Sequence, residues 1–249
     1  MQKHDIGQIL RENSYPGRGI VMGRSHDDNK SIFAYFIMGR SENSRNRVFV
    51  ETDDGIKTQA HDPAKMTDPS LVIYHPVRRA SINNEAVYIV TNGDQTDTLR
   101  DHLSGGGNYM EALMTRAFEP DAPNYTPRIS GLLFQRGTYA FSILKTLDAN
   151  PSCCLRHFFT YDAPQPGAGH FIHTYKSDGD PLPSFDGEPV CIAIDHGHRE
   201  LADLIWEAMD SSNKVSLYVC ETDIKTGKRE SIIINKLPDN GILTQCRRK

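Results

Sequence analysis

The stretch AVYIVTNGDQTDTLRDHLSGGGNYMEALMTRAF, residues 86–118, decides the fold, because within it a series of short strands gives way to helices. Residues 86–91 are rich in β-branched and aromatic side chains, as suits a strand on a pleated, half-buried surface. Asn92, Gly93 and Asp94 break that run, and helical patterning follows over 96–103 and 108–118, the two helices being separated by Gly105, Gly106 and Gly107. Met110, Leu113, Met114, Ala117 and Phe118 recur at helical spacing and are expected to form a core stripe.

Working outward, residues 20–22, 32–38, 48–51 and 71–75 read as strands divided by Gly, Pro, Asn and Asp clusters. A short helix over 3–11, with Ile6, Ile9 and Leu10 on one face, precedes a turn at 15–19; Arg18 and Arg24 are expected on the turn before the first hairpin. Strands return at 129–135, 139–144, 155–160, 171–175 and 190–194. A helix over 199–209 then turns Leu201, Leu204, Ile205 and Ala208 inward, and strands 215–221 and 230–235 flank a turn at Thr226 and Gly227. Strands in blocks and helices in blocks predict an α+β fold with two stacked, largely antiparallel sheets, and argue against a parallel doubly wound sheet. The chain is read as one domain, residues 1–249, and the Pro- and Gly-rich segment 161–189 as a loop able to cover a site.

The 249 residues carry a formal charge of −4, so no general field draws the protein to nucleic acid or an anionic membrane. No apolar run approaches the ~20 residues of a membrane span, and Lys3, His4, Asp5, Arg11 and Glu12 stand where a signal peptide needs its apolar stretch. A cytoplasmic protein is expected, with self-association left open. Cys153, Cys154, Cys191, Cys220 and Cys246 form no C-x-x-C pair and read as reduced, mostly buried thiols. Asp195, His196, Gly197 and His198 read as turn and helix-terminal residues ahead of metal ligands, and His157, His170 and His173 are scattered. No metal is assigned. The triple glycine lacks the Lys-Ser/Thr of a phosphate loop.

Three polar segments carry the chemistry. Gly39-Arg40-Ser41-Glu42-Asn43-Ser44-Arg45-Asn46-Arg47 leaves the apolar strand 32–38, and guanidinium groups present paired donors suited to phosphate; a solvated loop is the plain alternative. Thr91-Asn92-Gly93-Asp94-Gln95-Thr96-Asp97 reads equally as a turn and helix cap. Asn124-Tyr125-Thr126-Pro127-Arg128 follows Glu119 and enters a strand.

Together with residues 15–19, these segments resemble the archaeal-type IMP cyclohydrolase family, closely over 15–145 and loosely beyond, where the extra length is nearer to its bacterial branch. The resemblance implies a four-layered αββα sandwich like that of the N-terminal-nucleophile hydrolases, without their chemistry, since the sequence begins Met1-Gln2-Lys3. It implies a cofactor-free, dehydrative closure of the formylated aminoimidazole carboxamide ribonucleotide to IMP. Arg40, Arg45 and Arg47 are then assigned to phosphate and oxyanion binding, and Asn46, Asn92 and Asn124 to neutral hydrogen bonds. Glu119 or Asp97 is the proton carrier, with Tyr74 or Tyr125 as an alternative donor. Arg18, Ser41, Gly93, Thr96, Thr126 and Arg128 are expected to line the purine-nucleotide pocket. An amidohydrolase on the same scaffold and a non-catalytic purine-nucleotide sensor are the rival readings.

Overall fold

The computed structural model describes residues 2–82 and 84–238. In chain order the helices are α1 (Ile6–Glu12), α2 (Glu42–Arg45), α3 (Gln95–Ser104), α4 (Tyr109–Met114) and α5 (His198–Ala208). The strands are β1 (Arg18–Arg24), β2 (Lys30–Met38), β3 (Arg47–Thr52), β4 (Gly55–Ala60), β5 (Val77–Ile82), β6 (Glu85–Thr91), β7 (Arg128–Phe134), β8 (Tyr139–Leu147), β9 (Asn150–Tyr161), β10 (Ala168–His173), β11 (Val190–Ala193), β12 (Lys214–Asp223) and β13 (Arg229–Asn235). One sheet has the order β11-β10-β1-β2-β12-β13, the other β3-β4-β5-β6-β7-β8-β9. Neighbouring strands run antiparallel in both, as the block pattern predicts.

Strand β2 shows how the sequence builds layers. Its run Ser31–Met38 is buried without a break because both faces are covered. Ile32, Ala34, Phe36 and Met38 point to the layer shared with Ile6 and Leu10 of α1 and Leu201, Ala202 and Ile205 of α5. Phe33, Tyr35 and Ile37 point the other way, against Phe49, Val90, Ile129 and Phe141 of the second sheet. The outer face of that second sheet packs Val87, Ile89, Leu132 and Leu144 under Leu99, Leu103, Ala112 and Leu113 of α3 and α4. The result is helices, sheet, sheet, helices. Gly131 belongs to the sheet contact: a Cβ there would stand 2.4 Å from Met22 Cε.

Several expectations need correction. Residues 71–75 are not a strand; Thr58 instead holds this segment, its backbone N–H donating to Tyr74 O at 2.9 Å and its hydroxyl donating to Val72 O at 2.8 Å. Strands β4 and β5 take that place in the sheet, and their half-exposed sequences gave no apolar run to recognise. Arg18 and Arg24 lie within β1, not on a turn. Helix α4 stops at Met114, Met110 and Met114 are 51% and 61% exposed, Ala117 is exposed and Phe118 half-buried, so of the expected stripe only Leu113 is buried, with Ala112 beside it. Cys153, Cys154 and Cys191 are half-buried and Cys220 is buried; Cys246 lies outside the described residues. No described helix is long and apolar enough to cross a membrane.

Met114→Gln should change unfolding free energy by less than about 0.5 kcal/mol. Leu113→Ala, which opens a cavity, should lower it by at least about 2 kcal/mol in urea titrations. Equal losses would restore Met114 to the core.

Candidate active site

Strands β1, β3 and β7 each begin with an arginine: Arg18, Arg47 and Arg128. They are 8%, 0% and 6% exposed. Burying a guanidinium is expensive unless its donors are satisfied. Arg128 is satisfied, its terminal nitrogen donating to Gln95 Oε1 at 2.6 Å and pairing with Asp94 at 2.8 Å. Arg47 is not: Nε and both terminal nitrogens lack a hydrogen-bond partner among the described residues, as does Nε of Arg18.

Glu119 is 2% exposed and within electrostatic reach of all three arginines. Its backbone N–H donates to Thr126 O at 2.9 Å, which ties the segment after α4 to the start of β7. Burial pushes its carboxyl up to about 7 against the opposing pull of Arg18 and Arg128. For Arg18, burial works downward, but the charge of Glu119 prevails and its pKa lies well above the ordinary value. Arg47 is lowered by burial, with Tyr74 opposing and the like charge of Arg18 adding. The cluster therefore sets unused arginine donors beside a buried carboxyl that gives up its proton only near neutrality.

Tyrosines wall the cluster. Tyr35 and Tyr74 share a hydroxyl hydrogen bond of 2.8 Å, and Tyr15 stacks on Tyr175 with ring centroids 5.8 Å apart. The Tyr175 hydroxyl meets Thr126 Oγ1 at 2.5 Å, and the Thr126 N–H donates to Asp121 Oδ1 at 2.6 Å. Burial raises the hydroxyls of Tyr35, well above the ordinary value, and of Tyr175, to about 12. Both remain neutral donors at physiological pH. Neutral hydroxyls, cationic forks and a carboxyl titrating near 7 can together bind an anion, polarise a carbonyl and move a proton.

Of the residues singled out from sequence, the structure brings Arg18, Arg47, Tyr74, Glu119, Thr126 and Arg128 to this cluster. Others have structural partners. Ser41 caps α2, while Arg45 donates to Gly39 O at 2.8 Å and Asn213 Oδ1 at 3.2 Å. Asn46 exchanges two hydrogen bonds with the backbone of Asp62. Asn92 binds the backbone of Pro127 and Ile129, and Thr96 binds Thr91 and Gly93, so this segment is a turn network leading into α3. Gly93 admits Arg128, whose terminal nitrogen would lie 2.3 Å from a Cβ. Asp97 pairs with Arg78 at 2.7 Å, and Arg40 pairs with Asp178 at 2.9 Å. Asn124 Oδ1 accepts from Leu182 N, and Tyr125, at φ 44°, packs edge-on against Phe118.

Sequence reasoning missed Tyr35, Asp121 and Tyr175 as site residues. Tyr35 and Tyr175 fall in apolar strand readings, where a tyrosine signals core; only a buried hydroxyl's need for a partner marks them out. Surface cavities lie elsewhere. One of about 570 Å³ is lined by Arg45, Asn46, His61 and Lys65, but Arg45 and Asn46 are already committed to protein partners. Another, about 400 Å³, is lined by Asn124, Tyr125, Lys145, Lys176 and Leu182. The buried cluster, in contrast, holds donors with no partner among the described residues.

A separate group at the far end of β12 joins His198, at the start of α5, to Glu221 at 3.0 Å, with Glu230 close by. Lys30 already places an ammonium 2.6 Å from Glu221, and Glu221 Oε2 accepts from the His198 backbone N–H. These bonds fit the turn and helix-terminal reading of residues 195–198.

A family model described as IMP cyclohydrolase-like protein matches residues 15–227. No curated protein matches the chain.

Proposed function

The chain belongs to the IMP cyclohydrolase-like family, and from that premise we propose that it converts 5-formamidoimidazole-4-carboxamide ribonucleotide to IMP, in the cytoplasm and without a cofactor. The carboxamide nitrogen bonds to the formyl carbon. The formyl oxygen then departs as water, carrying one proton from the carboxamide nitrogen and one from the formamide nitrogen. The observation that carries the reading is a carboxyl titrating near 7, Glu119, set beside arginines with unused donors. In this reading Glu119 takes the proton from the attacking nitrogen and returns it to the departing oxygen. Arg47 and Arg18 hold the anionic parts of the substrate and the charge developing on the formyl oxygen. The hydroxyls of Tyr74 and Tyr175 orient the formyl group, since a poor amide nucleophile must be held at attacking distance.

The decisive assay mixes purified protein with the formylated ribonucleotide in EDTA and follows IMP. Turnover is expected; binding of IMP without turnover would instead mark a nucleotide sensor. IMP and the unformylated precursor should each raise the melting temperature, by about 2.7 kcal/mol of native-state stabilisation at a hundredfold excess over Kd. A nucleoside lacking the phosphate should do much less, and equal shifts would remove the case for a phosphate grip.

A further inference from the structure

We propose that Arg40 is a positioning residue, a latch that holds segment 176–187 closed along the Tyr15–Tyr175 wall of the Glu119 cluster. The base of this segment is fixed from inside. Leu182 and Phe185 are buried, the Phe185 N–H donates to Thr174 O at 2.9 Å, and the Leu182 N–H donates to Asn124 Oδ1 at 3.0 Å. A bridge between Tyr175 and Ser184, with the Lys176 N–H donating to Pro183 O at 2.9 Å, folds it back on itself.

Among the described residues the tip has no such buried anchor. Ser177, Asp178 and Gly179 project beyond the bridge, and Arg40 reaches them from the end of β2. Its terminal nitrogen donates to Asp178 Oδ1 at 2.9 Å and to Gly179 O at 2.7 Å, while the guanidinium lies over the Tyr15 ring, 5.2 Å from its centroid. Tyr15 stacks on Tyr175, which is bonded to Thr126 at the cluster. The side chains of Arg40 and Asp178 are 36% and 48% exposed, so their pairing is weak and readily reversed. Weakness suits a closure that must open to release product. Both contacts engage the same terminal nitrogen of Arg40.

The test uses Arg40→Ala, Asp178→Ala, the double variant, and the charge exchange Arg40→Asp with Asp178→Arg. Amide hydrogen exchange over 176–187, read in the unliganded full chain, should accelerate about threefold to tenfold in either single variant, the range set by an exposed ion pair plus a cation–π contact. The double variant should be no faster than the singles, and the charge exchange should recover part of the protection. KM for the formylated ribonucleotide should rise with exchange, while kcat moves less. If Asp178→Ala leaves exchange and KM at wild-type values while Arg40→Ala alone removes turnover, Arg40 acts on the substrate and the latch is wrong. The assignment of the site rests on the cyclohydrolase reading. Exchange needs no substrate, so a wild-type chain that never turns over would sink that reading while the latch is still decided.

Discussion

Glu119→Gln is expected to cut turnover of the formylated ribonucleotide by about 10²–10⁴-fold, the range for removing a general acid–base group, while making the protein more stable at pH 8. Gln keeps the shape and neutral hydrogen bonding but cannot carry a proton. In the wild type the ionised carboxyl accepts the first proton, so kcat/KM should rise with pH through about 7. The stability effect follows from linkage. The folded carboxyl titrates at about 7 against an ordinary 4.5, so the native state holds the proton more tightly than the unfolded chain. That contribution is fully present below 4.5 and is lost as pH rises through about 7. The gap corresponds to about 3 kcal/mol. Gln mimics the protonated form at every pH, so the stability difference between variant and wild type should widen by about that amount from pH 4 to pH 8. Parallel urea midpoints across that range would place Glu119 in a polar, solvated setting and remove it as proton carrier.

Elements with strong patterning were legible. The apolar run 32–38 of β2 and the amphipathic α5, with Leu201, Ala202, Ile205 and Ala208 on one side, announce burial on two faces and on one. Strands β4 and β5 were not, because each holds only a few buried positions and is kept in the sheet by β3 and β6 on either side. The α4 stripe failed for a related reason. Periodicity names a face, but a two-turn helix resting on one edge of a sheet buries only the residues directly over it.

The arginine-rich segment was legible as chemistry and not as geometry. Four residues of α2 intervene between Arg40 and Arg47, and they turn the chain so that Arg40 faces the exposed tip at Asp178 while Arg47 enters β3 and the interior. Sequence spacing alone ranked Arg40, Arg45 and Arg47 together. Burial separates them: Arg45 is bonded to Gly39 and Asn213, Arg40 to a loop, and Arg47 buries its whole guanidinium with no hydrogen-bond partner among the described residues. Asn92 and Asn46 likewise carry amides in the right motifs, but backbone groups claim them.

That separation makes Arg47 the most consequential arginine to change. Arg47→Met is expected to leave the fold intact and to raise its stability in the absence of ligand, because a fully buried guanidinium with no hydrogen-bond partner is replaced by an apolar chain of similar length. The same change should remove nucleotide binding almost entirely. Charge-assisted hydrogen bonds are worth about 1.5–3 kcal/mol each, so losing two of them from a dry site predicts a fall of about 10²–10⁴-fold in kcat/KM. Arg47→Lys should recover little, since one ammonium cannot reproduce the paired donors and its more strongly hydrated charge is harder to bury. The two readouts must move in opposite directions: a higher melting temperature without nucleotide, and the loss of the upward shift that IMP gives the wild type. A variant that melts lower without ligand and still shifts normally with IMP would mean that Arg47 is a structural residue whose partners form within the fold. The anion would then have to be held by Arg18 and Arg128 alone.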